Sequence, residues 1–181
     1  MTKIICTGRP GHGGIARCLS EYYSDIDFVS KSQNLDLTVD SDYAEFLDKV
    51  QDYDVFINHA QIEYGFQERV IRDVADVWTQ GHIITIGSVL EFEEFAWVDP
   101  VTHQEKLDIR NTSWSLASEK IKTTHIITSG FQRYGPEEDV KIDPIKIVQT
   151  IDWILKADFD IPLIFVDEIN DVRYKKWRSV K

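Results

Sequence analysis

Short apolar runs alternate with longer amphipathic segments along the chain. Runs rich in β-branched residues predict strands at residues 3–6, 26–29, 35–37, 54–58, 82–86, 125–127 and 163–166. Apolar positions three or four apart predict helices at residues 42–51, 63–80, 103–120 and 142–156, besides a helix that starts near residue 15. Strands this apolar, separated by helices, are typical of a parallel sheet covered on both faces.

The chain is predicted to form one domain. Its 181 residues are 43% hydrophobic, which is enough to bury a core of ordinary size. We expect a single doubly wound α/β domain of Rossmann type over residues 1–172, with a mostly parallel sheet and helices on both faces, followed by a basic tail at residues 173–181. The connection after residue 29 is short, which predicts that one outer helix is missing.

A glycine-rich turn follows the first predicted strand. Gly8, Gly11 and Gly14 fall three apart, directly before the first helix. Residues without a Cβ let a pyrophosphate approach the backbone N–H groups at a helix N-terminus, where the helix dipole favours negative charge. Ile15 follows the last glycine, where a phosphate-loop NTPase needs Lys and Ser or Thr. The turn therefore favours a dinucleotide over ATP, although an ordinary turn also fits the pattern.

Charge and composition limit the classes of molecule that the protein is expected to bind. The formal net charge is −11, so nonspecific binding to nucleic acid or to an anionic membrane is opposed at long range. No apolar run approaches the roughly 20 residues of a membrane-spanning helix, and the N-terminus lacks the pattern of a signal peptide. We therefore expect a cytoplasmic protein. Cys6 and Cys18 are expected to be reduced and buried, and no metal site is predicted.

Five motifs occur in order along nearly the whole chain. They are Thr7-Gly8-x-x-Gly11-x-x-Gly14, Asp36-Leu37-Thr38, the segment 54–60, the segment 83–88, and Leu116-Ala117-Ser118-Glu119 with the segment 125–131. In this order they resemble the motifs of the short-chain dehydrogenase/reductase family. The resemblance implies a Rossmann-type fold and an NAD(P)-dependent oxidoreductase that transfers hydride between NADP(H) and a small carbonyl or alcohol substrate.

The resemblance also implies a set of cofactor contacts. These fall on Thr7, Gly8, Arg9, Gly11, Gly14, Ile15, Lys31, Asp36, Leu37, Asn58, His59, Ala60, Lys106 and Gly130. Lys31, just after the second strand, and Arg9, in the glycine turn, are cations suited to the 2′-phosphate of NADP, so NADP is favoured over NAD. Asp36 is too far along the chain to be the acidic residue that would hold the ribose of NAD. A solvated loop lysine is the alternative interpretation of Lys31.

The catalytic residues match the family only in part. Ser88 and Lys106 fall where the resemblance places the serine that orients the substrate oxygen and the lysine that binds the nicotinamide ribose. The family's tyrosine position holds Thr102, whose aliphatic hydroxyl is far less acidic than a phenol of pKa about 10. His103 and Tyr64 are the candidate proton donors. An exposed polar histidine and a packing aromatic are the alternatives.

Two functions remain open from the sequence. The retained serine and lysine favour an enzyme, whereas the missing tyrosine favours a catalytically silent NAD(P)-binding sensor or interaction protein of the same fold. The family pairs its subunits through the two helices that correspond to residues 63–80 and 103–120, so a homodimer is expected.

Overall fold

The computed structural model describes residues 2–11, 14–92, 100–128 and 142–166. Six strands lie in these ranges: β1 (Ile4–Thr7), β2 (Ile26–Val29), β3 (Val55–Asn58), β4 (Gly81–Ile86), β5 (Ile121–Thr128) and β6 (Leu163–Val166). The helices are α1 (Gly14–Tyr22), α2 (Asp40–Val50), α3 (Phe66–Val77), α4 (Pro100–Ser115) and α5 (Pro144–Lys156). The predicted basic tail and Gly130 lie outside the described residues.

The six strands form one sheet in the order β2-β1-β3-β4-β5-β6, and every neighbouring pair is parallel. Strand residues that alternate along the chain point to opposite faces and enter two separate cores. Ile5, Phe56 and Ile83 pack with α2, α3 and α4, while Cys6, Ile57 and Ile84 pack with α1 and α5. The predicted doubly wound Rossmann-type domain is confirmed. The prediction that one outer helix is missing is wrong, because α2 lies in the connection between β2 and β3.

The strand predicted at residues 35–37 is wrong. The chain forms a 3-10 turn at Lys31–Gln33, then passes through Asn34 at φ 62°, and the residues that follow join no strand of the sheet. Leu35 and Leu37 are nevertheless buried, at 6% and 3% exposure, in the core of the α2 face. The alternation of apolar and polar residues thus marks two side chains that fill the core beneath a loop.

The helix ends differ from the predicted ones for local reasons. α3 starts at Phe66, three residues later than predicted, because Gly65 adopts φ 74° and caps the helix from a left-handed conformation. α4 starts at Pro100, three residues earlier than predicted, where proline favours the first turn of a helix. None of the described helices is long and apolar enough to cross a membrane.

Candidate functional site

The site lies at the carboxyl ends of the strands. β1 is flanked by β2 on one side and β3 on the other, so the connections that leave these strands turn in opposite directions. In open parallel sheets such a switch point leaves a crevice in which ligands bind. Loops from β1, β3 and β4 reach this edge.

The glycine turn starts at the end of β1. Gly8 has φ 144°, and its N–H donates to the Val29 carbonyl of β2 at 3.0 Å. A Cβ at this position would lie 3.0 Å from His59 Nδ1 and 3.4 Å from Ala16 Cβ. Gly14, the first residue of α1, has φ 71°. Both glycines are therefore required by the fold of the turn.

Gly11 differs from the other two glycines of the turn. A Cβ at Gly11 would meet no atom of the described residues within 4 Å, and its φ lies outside the range that disfavours side chains. The described part of the chain therefore places no demand for glycine at this position. Open space next to a glycine before a helix N-terminus is what a bound phosphate needs.

The end of β3 is held next to the end of β1 by hydrogen bonds. Thr7 Oγ1 accepts the N–H groups of His59 at 3.0 Å and Ala60 at 3.1 Å, and the Thr7 side chain is buried. Asn58 Nδ2 donates to the Gln67 carbonyl at 2.9 Å. Thr7 and Asn58 thus fix the backbone of the loop at the switch point.

The end of β3 and the loop after it carry two buried polar atoms that have no hydrogen-bond partner among the described residues, namely Asn58 Oδ1 and His59 Nδ1. Burial lowers the pKa of His59 to about 4, and the positive charge of Lys106 contributes in the same direction. The His59 imidazole is therefore neutral at pH 7 and adds no positive charge beside the glycine turn.

Lys31 and Asp36 meet beyond the end of β2. Lys31 Nζ lies 3.0 Å from Asp36 Oδ2, although Lys31 is largely exposed. Thr38 donates to Asp36 Oδ1 from its hydroxyl at 2.7 Å and from its N–H at 3.2 Å. These bonds, followed by the Lys31 ammonium, lower the pKa of Asp36 to about 2. The loop thus brings the Asp36 carboxylate next to Lys31, shortly after the end of β2. The separation of Asp36 from β2 along the sequence did not indicate this position.

The other predicted cofactor residues divide by exposure. Arg9 is exposed on the glycine turn. Ile15 and Leu37 are buried in the two cores, on opposite faces of the sheet.

Ser88 starts a tight turn directly after β4. Its Oγ accepts the Leu90 N–H at 3.3 Å, and Glu91 Oε1 accepts the Ser88 N–H at 2.9 Å, so the two residues form a capping box. His103 of α4 donates from Nδ1 to the Leu90 carbonyl at 2.6 Å. A carbonyl only accepts, so this bond places the hydrogen on Nδ1 and makes Nε2 the acceptor nitrogen of the neutral ring.

A buried pair supports the Ser88 turn from beneath. His125 Nε2 lies 2.8 Å from Glu91 Oε1, and both side chains are fully buried. Arg110 Nη1 lies 3.8 Å from the other oxygen of Glu91. A Cβ at residue 87 would come within 2.1 Å of Glu91 Oε1 and 2.3 Å of His125 Nε2, so Gly87 is required by this pair.

Lys106 is buried on α4. Its Nζ donates to Gln67 Oε1 at 2.6 Å and to Gln61 Oε1 at 3.1 Å. Burial lowers the pKa of Lys106, and the nearby carboxylates of Glu105 and Glu91 oppose that change. Glu105, the residue before it, accepts the Gly65 N–H at 2.9 Å and Gln61 Nε2 at 2.8 Å. α4 thereby holds the loop that follows β3.

The two candidates for the missing tyrosine occupy different environments. His103 is 8% exposed and lies one turn before Lys106 on α4. Tyr64 is 60% exposed and lies in the turn before α3, outside the helix in which it was predicted. Thr102 is half-buried on α4. His103 is hydrogen-bonded to the Ser88 turn through the Leu90 carbonyl.

Several residues of the site were not singled out in the sequence. Ser-x-x-Glu is the capping-box pattern, so Glu91 carried a readable signal. His125 interrupts an apolar strand, which marks it as a buried polar group in need of a partner. Gln61, Gln67 and Glu105 carried no such signal, because they meet only when α3, α4 and the loop after β3 come together.

Comparisons with known proteins bear on the fold. No protein-family model matches the chain, and no curated protein sequence matches it either. Among solved structures, the bulky-bulky ketone specific alcohol dehydrogenase from Comamonas testosteroni superimposes with a TM-score of 0.73 at 15% identity, over 99% of this chain and 92% of that one. The chain has the short-chain dehydrogenase/reductase fold. The predicted resemblance is thereby confirmed for the fold.

Two further structures with the short-chain dehydrogenase/reductase fold hold cofactors. The 3-alpha-hydroxysteroid dehydrogenase from Pseudomonas sp., complexed with NADH, has a TM-score of 0.65 at 13% identity and covers 92% of this chain and 95% of its own. A short chain dehydrogenase from Burkholderia cenocepacia in complex with NADP has a TM-score of 0.65 at 12% identity and covers 98% and 92%. Both nicotinamide dinucleotides therefore occur among these neighbours.

Proposed function

We propose that this protein is an NAD(P)-dependent oxidoreductase that transfers hydride between NADP(H) and a small carbonyl or alcohol substrate. The observation that carries the proposal is the glycine turn at the switch point. It leads from β1 into the N-terminus of α1, with open space at Gly11. Ser88 follows β4 at the same edge of the sheet. Lys106 donates a hydrogen bond to Gln61, which lies in the loop after β3 at that edge.

The described residues fit a dinucleotide. Backbone N–H groups at the start of α1 suit its phosphates, and the unpartnered Asn58 Oδ1 and His59 Nδ1 can accept hydrogen bonds beside the turn. When bound, the nicotinamide supplies or accepts the hydride. Lys106, whose Nζ donates to the buried Gln67 and to the exposed Gln61, is the proposed donor to a ribose hydroxyl.

The proposed proton path uses residues of the Ser88 turn and of α4. Ser88 Oγ donates to the substrate oxygen and stabilises the negative charge that develops there. His103, with Nδ1 fixed on the Leu90 carbonyl, transfers the proton through Nε2 and must be protonated to donate it. If His103 is the donor, His103→Phe should abolish reduction without loss of cofactor binding. Tyr64 is the second candidate, and the same result for Tyr64→Phe would favour it.

The test of the proposed function is a screen for NADPH oxidation with aldehydes, ketones and quinones. Reduction of any of them, lost on replacing Ser88 or Lys106, would support the oxidoreductase. Tight binding of NADPH without turnover of any carbonyl compound would replace it with a sensor or interaction protein.

We predict that NADPH binds about tenfold more tightly than NADH, since a charge-assisted contact with the 2′-phosphate is worth roughly 1.5–3 kcal/mol. Lys31→Ala should remove most of this difference. Lys156→Ala, which removes a similar ion pair with Asp152 on α5, should not. Fluorescence titration of both reduced cofactors measures the effect. Equal affinities in the wild type would reject the preference.

Two glycine variants separate fold from binding. Gly8→Ala should lower the free energy of unfolding by about 2 kcal/mol, because φ 144° and the contact with His59 both oppose a side chain. Gly11→Ala should leave the melting temperature unchanged but weaken dinucleotide binding, since its methyl group would occupy the space for the phosphate. Unchanged NADPH affinity in Gly11→Ala would contradict the proposed phosphate position.

We also expect a homodimer that pairs through α3 and α4. Sedimentation at micromolar concentration measures it, and a monomer under those conditions would contradict this expectation.

A further inference from the structure

The two acceptors of Lys106 differ in their exposure to solvent. Gln67, whose Oε1 lies 2.6 Å from Nζ, is 1% exposed. Gln61, whose Oε1 lies 3.1 Å from Nζ, belongs to the exposed part of the loop after β3. Lys106 itself is only 6% exposed. Gln67 is therefore the inner acceptor, and Gln61 the outer one.

The Gln61 amide is held in one orientation. Its Nε2 donates to Glu105 Oε2 at 2.8 Å, which directs the amide oxygen to Lys106. Glu105 is 3% exposed, and its other oxygen accepts the Gly65 N–H at 2.9 Å. The buried carboxylate thus holds the Gln61 amide oxygen against the Lys106 ammonium.

We propose that Gln61 is a displaceable acceptor of Lys106 and that it limits the affinity for the nicotinamide dinucleotide. This rests on the proposed function, in which Lys106 binds the cofactor ribose. A ribose hydroxyl oxygen that replaces the Gln61 amide oxygen makes a hydrogen bond of similar strength. The exchange therefore contributes little to the free energy of cofactor binding. Gln67 remains in place and keeps the buried ammonium hydrogen-bonded. The two glutamines therefore have opposite effects: Gln61 weakens cofactor binding, and Gln67 strengthens it.

The experiment compares Gln61→Ala with Gln67→Leu. Titration with NADPH should show roughly threefold to tenfold tighter binding for Gln61→Ala, the size of one ordinary net hydrogen bond, and about tenfold weaker binding for Gln67→Leu. Gln51→Ala is the matched control, because Gln51 is an exposed glutamine whose Nε2 donates to the Leu47 carbonyl away from the site. Its affinity should equal that of the wild type.

A second measurement needs no cofactor. Acetic anhydride should acylate Lys106 several-fold faster in Gln61→Ala than in the wild type, as followed by mass spectrometry of the peptide that contains it. Partial unfolding can speed acylation but cannot tighten NADPH binding, so the two results together identify displacement.

The outcomes are distinct. Unchanged or weaker NADPH binding in Gln61→Ala, with normal binding by the wild type, would overturn this inference alone. Unchanged acylation of Lys106 would overturn the assignment of Gln61 as the outer acceptor. Failure of the wild type and of every variant to bind either NADPH or NADH would overturn the proposed function and this inference with it.

Discussion

Ser88→Ala should lower kcat of the proposed carbonyl reduction by about 10²–10³, because one hydrogen bond to the developing oxyanion is lost. The affinity for NADPH should stay within about twofold of the wild type, since the glycine turn and Lys106 are untouched. Ser88 Oγ also accepts the Leu90 N–H, so the variant should be slightly less stable. Steady-state kinetics and a cofactor titration measure the two effects separately.

Ser118→Ala is the matched control for this variant. Ser118 Oγ accepts the Ile121 N–H at 3.1 Å, so the serine has a comparable capping role in the connection before β5. Its replacement should cost similar stability and leave kcat unchanged. A kcat of Ser88→Ala equal to that of Ser118→Ala would remove Ser88 from the proposed mechanism.

His125→Leu should lower the free energy of unfolding by about 3 kcal/mol, because it leaves the fully buried Glu91 carboxylate without its closest side-chain donor. Adding Glu91→Gln should recover part of that loss. The amide oxygen can still accept the Ser88 N–H and carries no charge to be neutralised. Urea denaturation of both single variants and the double variant gives the coupling between the two residues.

His82→Leu is the comparison for this effect. His82 lies on β4, is half-buried, and makes a described hydrogen bond of 2.9 Å to Thr124 Oγ1. Its loss should cost only about 1 kcal/mol. If His125→Leu proves no more costly than His82→Leu, the Glu91–His125 pair does not hold the Ser88 turn.

The regular part of the fold was predictable because burial in a parallel sheet imposes a simple pattern. All four residues are buried in each of the strands Ile4–Thr7 and Val55–Asn58, so neither strand can have one face exposed to solvent. The same rule produced the one wrong strand. Leu35 and Leu37 are as buried as strand residues, but hydrogen bonding between strands, which periodicity does not report, is missing there.

The site was predictable only where residues are close in sequence. The glycine turn and the Ser88 turn are local in sequence: Gly8 and Gly14 have positive φ values, and Ser88 and Glu91 form a capping box. The contacts of Lys106 join positions 39 and 45 residues apart on different elements. Glutamine side chains are ordinary surface groups in most sequences, so their role here depends on tertiary packing alone.

The position of β1 in the sheet has a consequence for folding kinetics. Ile4 pairs with Ile26 on one side and with Val55 on the other, so the second pairing closes a long loop and must await β3. Closing such loops is slow, since their entropy is lost before contacts compensate for it. The Thr7 hydroxyl can hold the His59 and Ala60 amides only once that closure is complete. The surface to which a ligand of this crevice binds therefore forms late in folding. Such a ligand should slow unfolding without accelerating refolding.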